Sequence, residues 1–137
     1  MGIAFHTELP TVSEYSALRC LAGWGDISED VASKALSSTA ISICTRYDGA
    51  LVGLGRVVGD NALYYYVSDI FVHPDRRGLG LGEMIISRLV NELKKVSEPG
   101  ATIAVLSAPG RCPNDFFGEG MVFLEPIERM LPGSTDR

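Results

Sequence analysis

The sequence predicts an α+β fold, a mixed α/β sandwich whose central sheet is mostly antiparallel but contains one parallel pair. Three observations carry this. Two strand-like runs meet at Asp48-Gly49, a two-residue hairpin signal. A second turn at Gly59-Asp60-Asn61 leads into another strand, which completes a meander. An amphipathic segment of about four helical turns then separates the fourth strand from the fifth. A strand that returns through a long helical crossover lies parallel to the strand it left, so strands 4 and 5 are the parallel pair.

Taken in order, residues 2–7 form a first short strand, stopped by Pro10. Thr11-Val12-Ser13-Glu14 is a capping box, with Thr11 as N-cap and Glu14 three residues on, so a helix begins there. Val12, Tyr15, Leu18, Arg19 and Ala22 share one face of that helix, which ends at Gly23. After a break at Trp24-Gly25, a second helix spans residues 28–36. Strands follow over residues 40–47, 50–58 and 63–72. Gly53, Gly55 and Gly59 in the third imply a bulge or a close backbone approach. Leu81, Ile85, Ile86, Leu89, Val90, Leu93 and Val96 make the apolar stripe of the crossover helix, with Arg88, Glu92, Lys94 and Lys95 on its wet side. A fifth strand spans residues 101–106. A loop at 109–113, a short helix at 114–118, a last strand at 121–124 and a frayed tail at 133–137 complete the chain.

At 137 residues with no internal repeat or linker, the chain is expected to form a single domain over residues 1–137. A formal charge of −5 speaks against a nucleic-acid footprint, which is ordinarily basic. No apolar run reaches the roughly 18 residues of a membrane span, and no basic segment leads into an apolar one at the N-terminus. A cytoplasmic protein without membrane partners is expected. Cys20, Cys44 and Cys112 are odd in number and lack C-x-x-C spacing, so neither a disulfide framework nor a metal site is expected. Cys112, in a Pro/Gly-rich turn, is a minor reactive candidate. His6 and His73 are far apart in sequence, so no Cys/His nucleophilic pair can be argued.

The chemistry concentrates between Val67 and Val96. His73-Pro74-Asp75 ends the fourth strand, and a loop with Arg76, Arg77, Gly78, Gly80 and Gly82 runs straight into the crossover helix. Glycines let consecutive backbone N–H groups converge on one small volume, and the opening turn of a helix adds unpaired donors and the positive end of its dipole. Such a place binds anions, and arginine forks suit phosphate oxygens. The dinucleotide fingerprint needs G-x-G-x-x-G, whereas the spacing here is G-x-G-x-G. The Walker loop needs Gly-Lys-Ser/Thr, which does not occur.

Arg77-Gly78-Leu79-Gly80-Leu81-Gly82 resembles the acyl-CoA loop of the GNAT acyltransferase superfamily, Gln/Arg-x-x-Gly-x-Gly/Ala, at every specified position. Val72-His73-Pro74-Asp75 resembles the Val-His-Pro-acid run that precedes it, and the order of elements resembles a small single-domain member. The resemblance implies a GNAT-like central mixed sheet with strands 4 and 5 splayed and helices on both faces. It also implies an acetyl-CoA-dependent N-acetyltransferase acting on a primary amine of a small molecule, by direct attack in a ternary complex. Acetylation of a protein amine is the alternative within that class, and an acyl-CoA-binding regulatory module with weak turnover is the alternative outside it. A homodimer is expected from the family alone, and no metal is implied.

Mapped onto this chain, the loop from Arg76 through Gly82, including Leu79 and Leu81, would hold the cofactor phosphates. The strand-end backbone of Ile70, Phe71 and Val72 would bind the pantetheine arm and polarise the thioester carbonyl. Asn114 and Phe117 would add cofactor contacts. Asp69 is the carboxylate placed to take the amine proton; the competing reading is an acid at a strand end, solvated or paired to an arginine. Arg19, Trp24 and Tyr64 are candidates for shaping the acceptor pocket, with Trp24 as a packing anchor the competing reading. The family's proton-donating Tyr falls on Phe116 or Phe117 here, and neither can donate. A substitute would come from Tyr64, Tyr65, Tyr66, Cys112 or water, with Tyr66 the catalytic candidate among them.

Overall fold

The computed structural model of the protein describes residues 2–105 and 125–126. Strand β1 (Ile3–Thr7) is followed by helices α1 (Val12–Leu21) and α2 (Glu29–Ser37). Then come β2 (Ile41–Tyr47), β3 (Ala50–Gly59) and β4 (Tyr64–Val72). Helix α3 (Leu81–Val96) crosses over to β5 (Thr102–Val105), and β6 (Glu125–Pro126) closes the order. The expected Asn114–Gly118 helix, Met121–Leu124 strand and C-terminal tail lie outside the described residues.

Among the described residues six strands pair in sequence order, β1 to β6. Every pairing is antiparallel except that of β4 with β5, which runs parallel from Tyr64↔Thr102 to Val67↔Val105. The crossover rule therefore picked the right pair. Asp48 and Gly49 both take positive φ, 50° and 89°, as a right-twisted two-residue hairpin requires. Asp60 closes the next turn, its Oδ1 accepting from the amides of Ala62, Leu63 and Tyr64. At the start of α1, Thr11 and Glu14 exchange the two hydrogen bonds of a capping box, each 3.0 Å.

Helix α3 covers one face of the sheet. Ile85, Ile86, Leu89, Val90 and Leu93 pack there on Ile43, Val57, Tyr65, Val67 and Ile103. Val96, counted in the stripe from periodicity, is 57% exposed because the helix has run past the sheet by its last turn. Arg88, expected simply on the wet side, lays its guanidinium 4.3 Å from the Phe5 ring centroid. Gly55 allows the close approach of α3, since a Cβ there would overlap Ile85 Cγ2 and come within 2.7 Å of Leu89 Cδ1. Helices α1 and α2 cover the other face, where Tyr15, Leu18, Ala22, Ala32 and Leu36 pack on Cys44, Leu54 and Phe71.

One irregularity in β4 links the two faces. Leu54 pairs with Phe71 and Arg56 with Ser68, so Gly55 stands opposite both Asp69 and Ile70. This is a bulge with its extra residue on β4. Asp69 takes φ 54°, in the left-handed region. Side chains alternate along a strand, and the extra residue shifts the alternation. Tyr65 and Val67 join the α3 core before the bulge, and Ile70 and Val72 pack against that core after it, while Phe71 joins the α1 side.

Candidate active site

The loop after β4 begins with His73, whose Nδ1 accepts from the Asp75 amide at 3.1 Å. Pro74–Arg76 form a single 3-10 turn. Gly78 and Gly80 have φ 83° and 77°, and among the described residues a Cβ on either would meet nothing within 4 Å. These glycines are therefore required by backbone conformation rather than by crowding. Gly80 is the N-cap of α3 and lends no side chain to the cap. The first helical bond runs from the Met84 amide to Gly80 O at 3.1 Å, so the amides of Leu81, Gly82 and Glu83 precede it and lack an intrahelical acceptor. Glu83, in the same first turn, is the one acidic side chain there.

The two arginines of the loop differ. Arg76 lies 4.0 Å from the centroid of the Tyr47 ring, which braces the loop against the end of β2. Arg77 is exposed, and its Nε donates to Val72 O at 3.3 Å. Sequence reasoning did not single out Tyr47, although an aromatic at a strand end across from a basic loop is the signal that would have found it. Leu79 is exposed and Leu81 is buried at the base of the helix.

On the other side of the bulge, buried polar groups gather around Asp69. Its Oδ2 accepts from Tyr15 Oη at 2.6 Å and from Arg56 Nε at 2.8 Å. Arg19 Nη1 stands 4.0 Å from Oδ1. Arg56 is fixed in turn, its Nη1 donating to Ala35 O at 2.9 Å and Thr39 Oγ1 at 3.0 Å. Asp69 and Arg56 are each 8% exposed and Tyr15 is 2% exposed. Burial first, and then the hydrogen bond to the Asp69 carboxylate, push the Tyr15 hydroxyl up to about 12. Pairing to an arginine is thus where Asp69 is found. Tyr15 and Arg56 had not been singled out as site residues. An arginine inside the apolar run of β3 was the available signal, because a buried guanidinium demands a carboxylate.

Trp24 packs its ring 5.8 Å from that of Phe71 and the same distance from the Arg19 guanidinium carbon. Arg19, Trp24 and Asp69 are therefore brought together, over Phe71. Tyr64 and Tyr66 are not part of this group: both are exposed, and Tyr66 lies three residues before Asp69, about 10 Å along the strand. Ile70 and Val72 are partly buried, and Phe71 is fully buried. Asn114, Phe116, Phe117 and Cys112 lie outside the described residues. Cys44 is buried, its thiol pushed up to about 11 mainly by burial, and the hydrogen bond that the exposed Cys20 thiol donates to the Asp26 carboxylate raises that thiol too; neither is primed as a thiolate. Among the described residues no group of His, Cys, Asp and Glu could hold a metal ion.

Comparison with known proteins places this geometry. Residues 10–108 match the model of the Acetyltransferase (GNAT) family. An uncharacterized N-acetyltransferase, ycf52, of Pyropia yezoensis is 35% identical over 75 residues, which cover 53% of this chain and 42% of the algal protein. The chain thus spans less than half the length of the curated relatives it matches. Among solved structures, a protein of unknown function from methicillin-resistant Staphylococcus aureus, named a probable acetyltransferase, superposes with a TM-score of 0.72 at 26% identity, covering 87% of this chain and 96% of that one. A GNAT family acetyltransferase from Elizabethkingia anophelis with acetyl-CoA bound shares the fold at a TM-score of 0.57 and 15% identity, covering 76% and 64%. The family match spans more than half of the sequence and includes the glycine loop, the bulge and the opening of α3: the chain belongs to the GNAT acetyltransferase family.

Proposed function

We propose that the protein is an N-acetyltransferase that moves an acetyl group from acetyl-CoA to a primary amine of a small molecule. The observation that carries this reading is the continuous run from β4 through Arg77-Gly78-Leu79-Gly80-Leu81-Gly82 into the N-terminus of α3, whose glycine N-cap offers no side-chain acceptor. Its left-handed glycines, open amides and exposed Arg77 fit a pyrophosphate. The acetyl-CoA carried by the Elizabethkingia relative supports the choice of co-substrate.

In this reading Arg77 and the amides at the head of α3 hold the phosphates. Backbone groups of Ile70–Val72 orient the pantetheine arm and donate to the carbonyl oxygen, a fixed donor being suited to charge that develops during attack. Acetyl-CoA supplies the thioester. A neutral amine is needed for attack; water takes up the proton that the nitrogen sheds, and Tyr66 or water returns one to the departing sulfur. The formal charge of −5 favours encounter with a cationic amine. Arg19 and Trp24, on the α1–α2 side of the bulge, are the acceptor-side residues.

A second reading, a CoA-binding module with little turnover, is favoured by Phe116 or Phe117 standing where the family places a Tyr. Calorimetry with acetyl-CoA, followed by thiol release against a panel of primary amines, separates the two. Binding together with amine-dependent thiol release is expected. Binding without release selects the second reading, and no binding overturns both.

A further inference from the structure

Resting on the acetyl-transfer reading, we propose that Asp69 is a positioning residue that clamps the β4 bulge in its working shape, and is not the group that takes the amine proton. Two features of the bulge require a clamp. Asp69 is an L-residue held at φ 54°, a conformation that side chains with a Cβ disfavour. The residues that follow it, Ile70 to Val72, are those whose amides face the thioester in the proposed reaction. Their direction is set by the turn the chain makes at Asp69.

The carboxylate supplies that clamp by tying β4 directly to α1 and β3, and through Arg56 to α2. Tyr15 holds Oδ2 from α1 and Arg56 holds the same oxygen from β3. Arg56 is itself moored to Ala35 O at the end of α2 and to Thr39 just beyond it. Arg19, one turn after Tyr15 on α1, faces the second oxygen at 4.0 Å. A proton arriving at Oδ2 would have to displace Tyr15 or Arg56. A proton arriving at Oδ1 would enter between the carboxylate and the Arg19 guanidinium. The same contacts that make Asp69 a poor place to deliver a proton make it a firm anchor for the backbone.

Asn is the discriminating substitution, because it tolerates left-handed φ and its amide oxygen can accept from both Tyr15 and Arg56. Asp69→Asn is expected to keep kcat within about five-fold of wild type with the pH profile of kcat/KM retained. Asp69→Ala is expected to lose roughly a hundred-fold in kcat, the scale of a misplaced reacting geometry, with the acetyl-CoA Kd changed by less than about three-fold. Tyr15→Phe, which leaves the carboxylate in place, should lower kcat by about ten-fold. If Asp69→Asn is as inactive as Asp69→Ala and its pH profile loses the acidic limb, or if Tyr15→Phe is as active as wild type or more so, the clamp is wrong and Asp69 accepts the proton.

Backbone amide exchange measured by NMR without any ligand decides the clamp independently of turnover. The Ile70 and Phe71 amides should exchange at least about ten-fold faster in Asp69→Ala, or in Tyr15→Phe should the alanine variant not fold, and at the wild-type rate in Asp69→Asn. Equal exchange in every variant overturns the clamp. A wild-type protein that binds no acetyl-CoA overturns the acetyl-transfer reading instead, with the exchange result unaffected.

Discussion

Tyr15 Oη lies 2.6 Å from Asp69 Oδ2, a buried hydrogen bond that joins helix α1 to the bulge of β4 across 54 positions of sequence. The hydroxyl titrates near 10.0 when free and is pushed up to about 12 here by burial and then by Asp69. A raised folded-state value means that the folded protein holds the proton more tightly than the unfolded chain. The resulting stabilisation is present in full below pH 10 and is lost as pH rises through about 12. Tyr15→Phe should cost about 1.5–3 kcal/mol at neutral pH, the range of a hydrogen bond to a charged group. Urea denaturation from pH 8 upward checks it: the gap between wild type and variant should narrow as the wild-type hydroxyl ionises.

Glu14 should behave in the opposite sense. Its carboxylate takes two hydrogen bonds from Arg46, at 2.8 and 3.1 Å, besides closing the α1 capping box. The Arg46 hydrogen bonding is the main cause that holds Glu14 at about 2 instead of 4.5. A depressed value stabilises the fold above pH 4.5, and the effect disappears as pH falls through about 2. The pair is partly exposed, so solvent screening reduces the gain to about 1 kcal/mol. Thermal melts of Glu14→Gln and wild type should differ by that amount at pH 7 and converge toward pH 2.

Gly55→Ala should destabilise the fold by about 1–3 kcal/mol, the usual cost of an overpacked core. The new methyl would overlap Ile85 and crowd Leu89, and Ile70 Cδ1 lies 3.1 Å away on the third side. Combining it with Leu89→Ala, which opens space at the same point, should recover part of the loss. An equilibrium denaturation cycle over the four proteins measures the coupling, and strict additivity would contradict it.

Tyr65→Phe should gain stability or leave it unchanged. The Tyr65 hydroxyl is buried on the α3 face with no hydrogen-bond partner among the described residues, and an unsatisfied buried donor costs about 1–3 kcal/mol. Tyr65 also pairs with Ile103 in the parallel ladder, so the ring must be kept. A midpoint in urea at or above that of wild type is the expected result, and a clear drop would mean that the hydroxyl has a partner.

Much of the fold could be read from residue order because the signals were local. The capping box at Thr11, the Asp48-Gly49 hairpin and the period of α3 each act within a few residues, and the elements from β1 to β5 stand within one or two residues of their expected bounds. The cofactor loop was legible for the same reason, since its glycines and Arg77 are consecutive. The Asp69 cluster was not, because Tyr15, Arg56 and Asp69 come from three elements and only the sheet register brings them together. Tyr15 also satisfies the helical period of an apolar face, which concealed its hydroxyl. The extra residue on β4 was hidden for another reason: Tyr64-Tyr65-Tyr66-Val67 carries no polar/apolar alternation against which a shift at Ser68-Asp69-Ile70 could be read.

That extra residue divides β4 into two reading frames. Ahead of Asp69 the odd-numbered side chains serve the α3 core, and beyond it the even-numbered ones do. An aligned relative shifted by one position across Asp69 would put Phe71 against α3 and Ile70 toward Trp24, exchanging the lining of the two faces while changing almost none of the letters. In this strand, register therefore matters as much as residue identity, and the acceptor side keeps its aromatic floor only while the extra residue is counted.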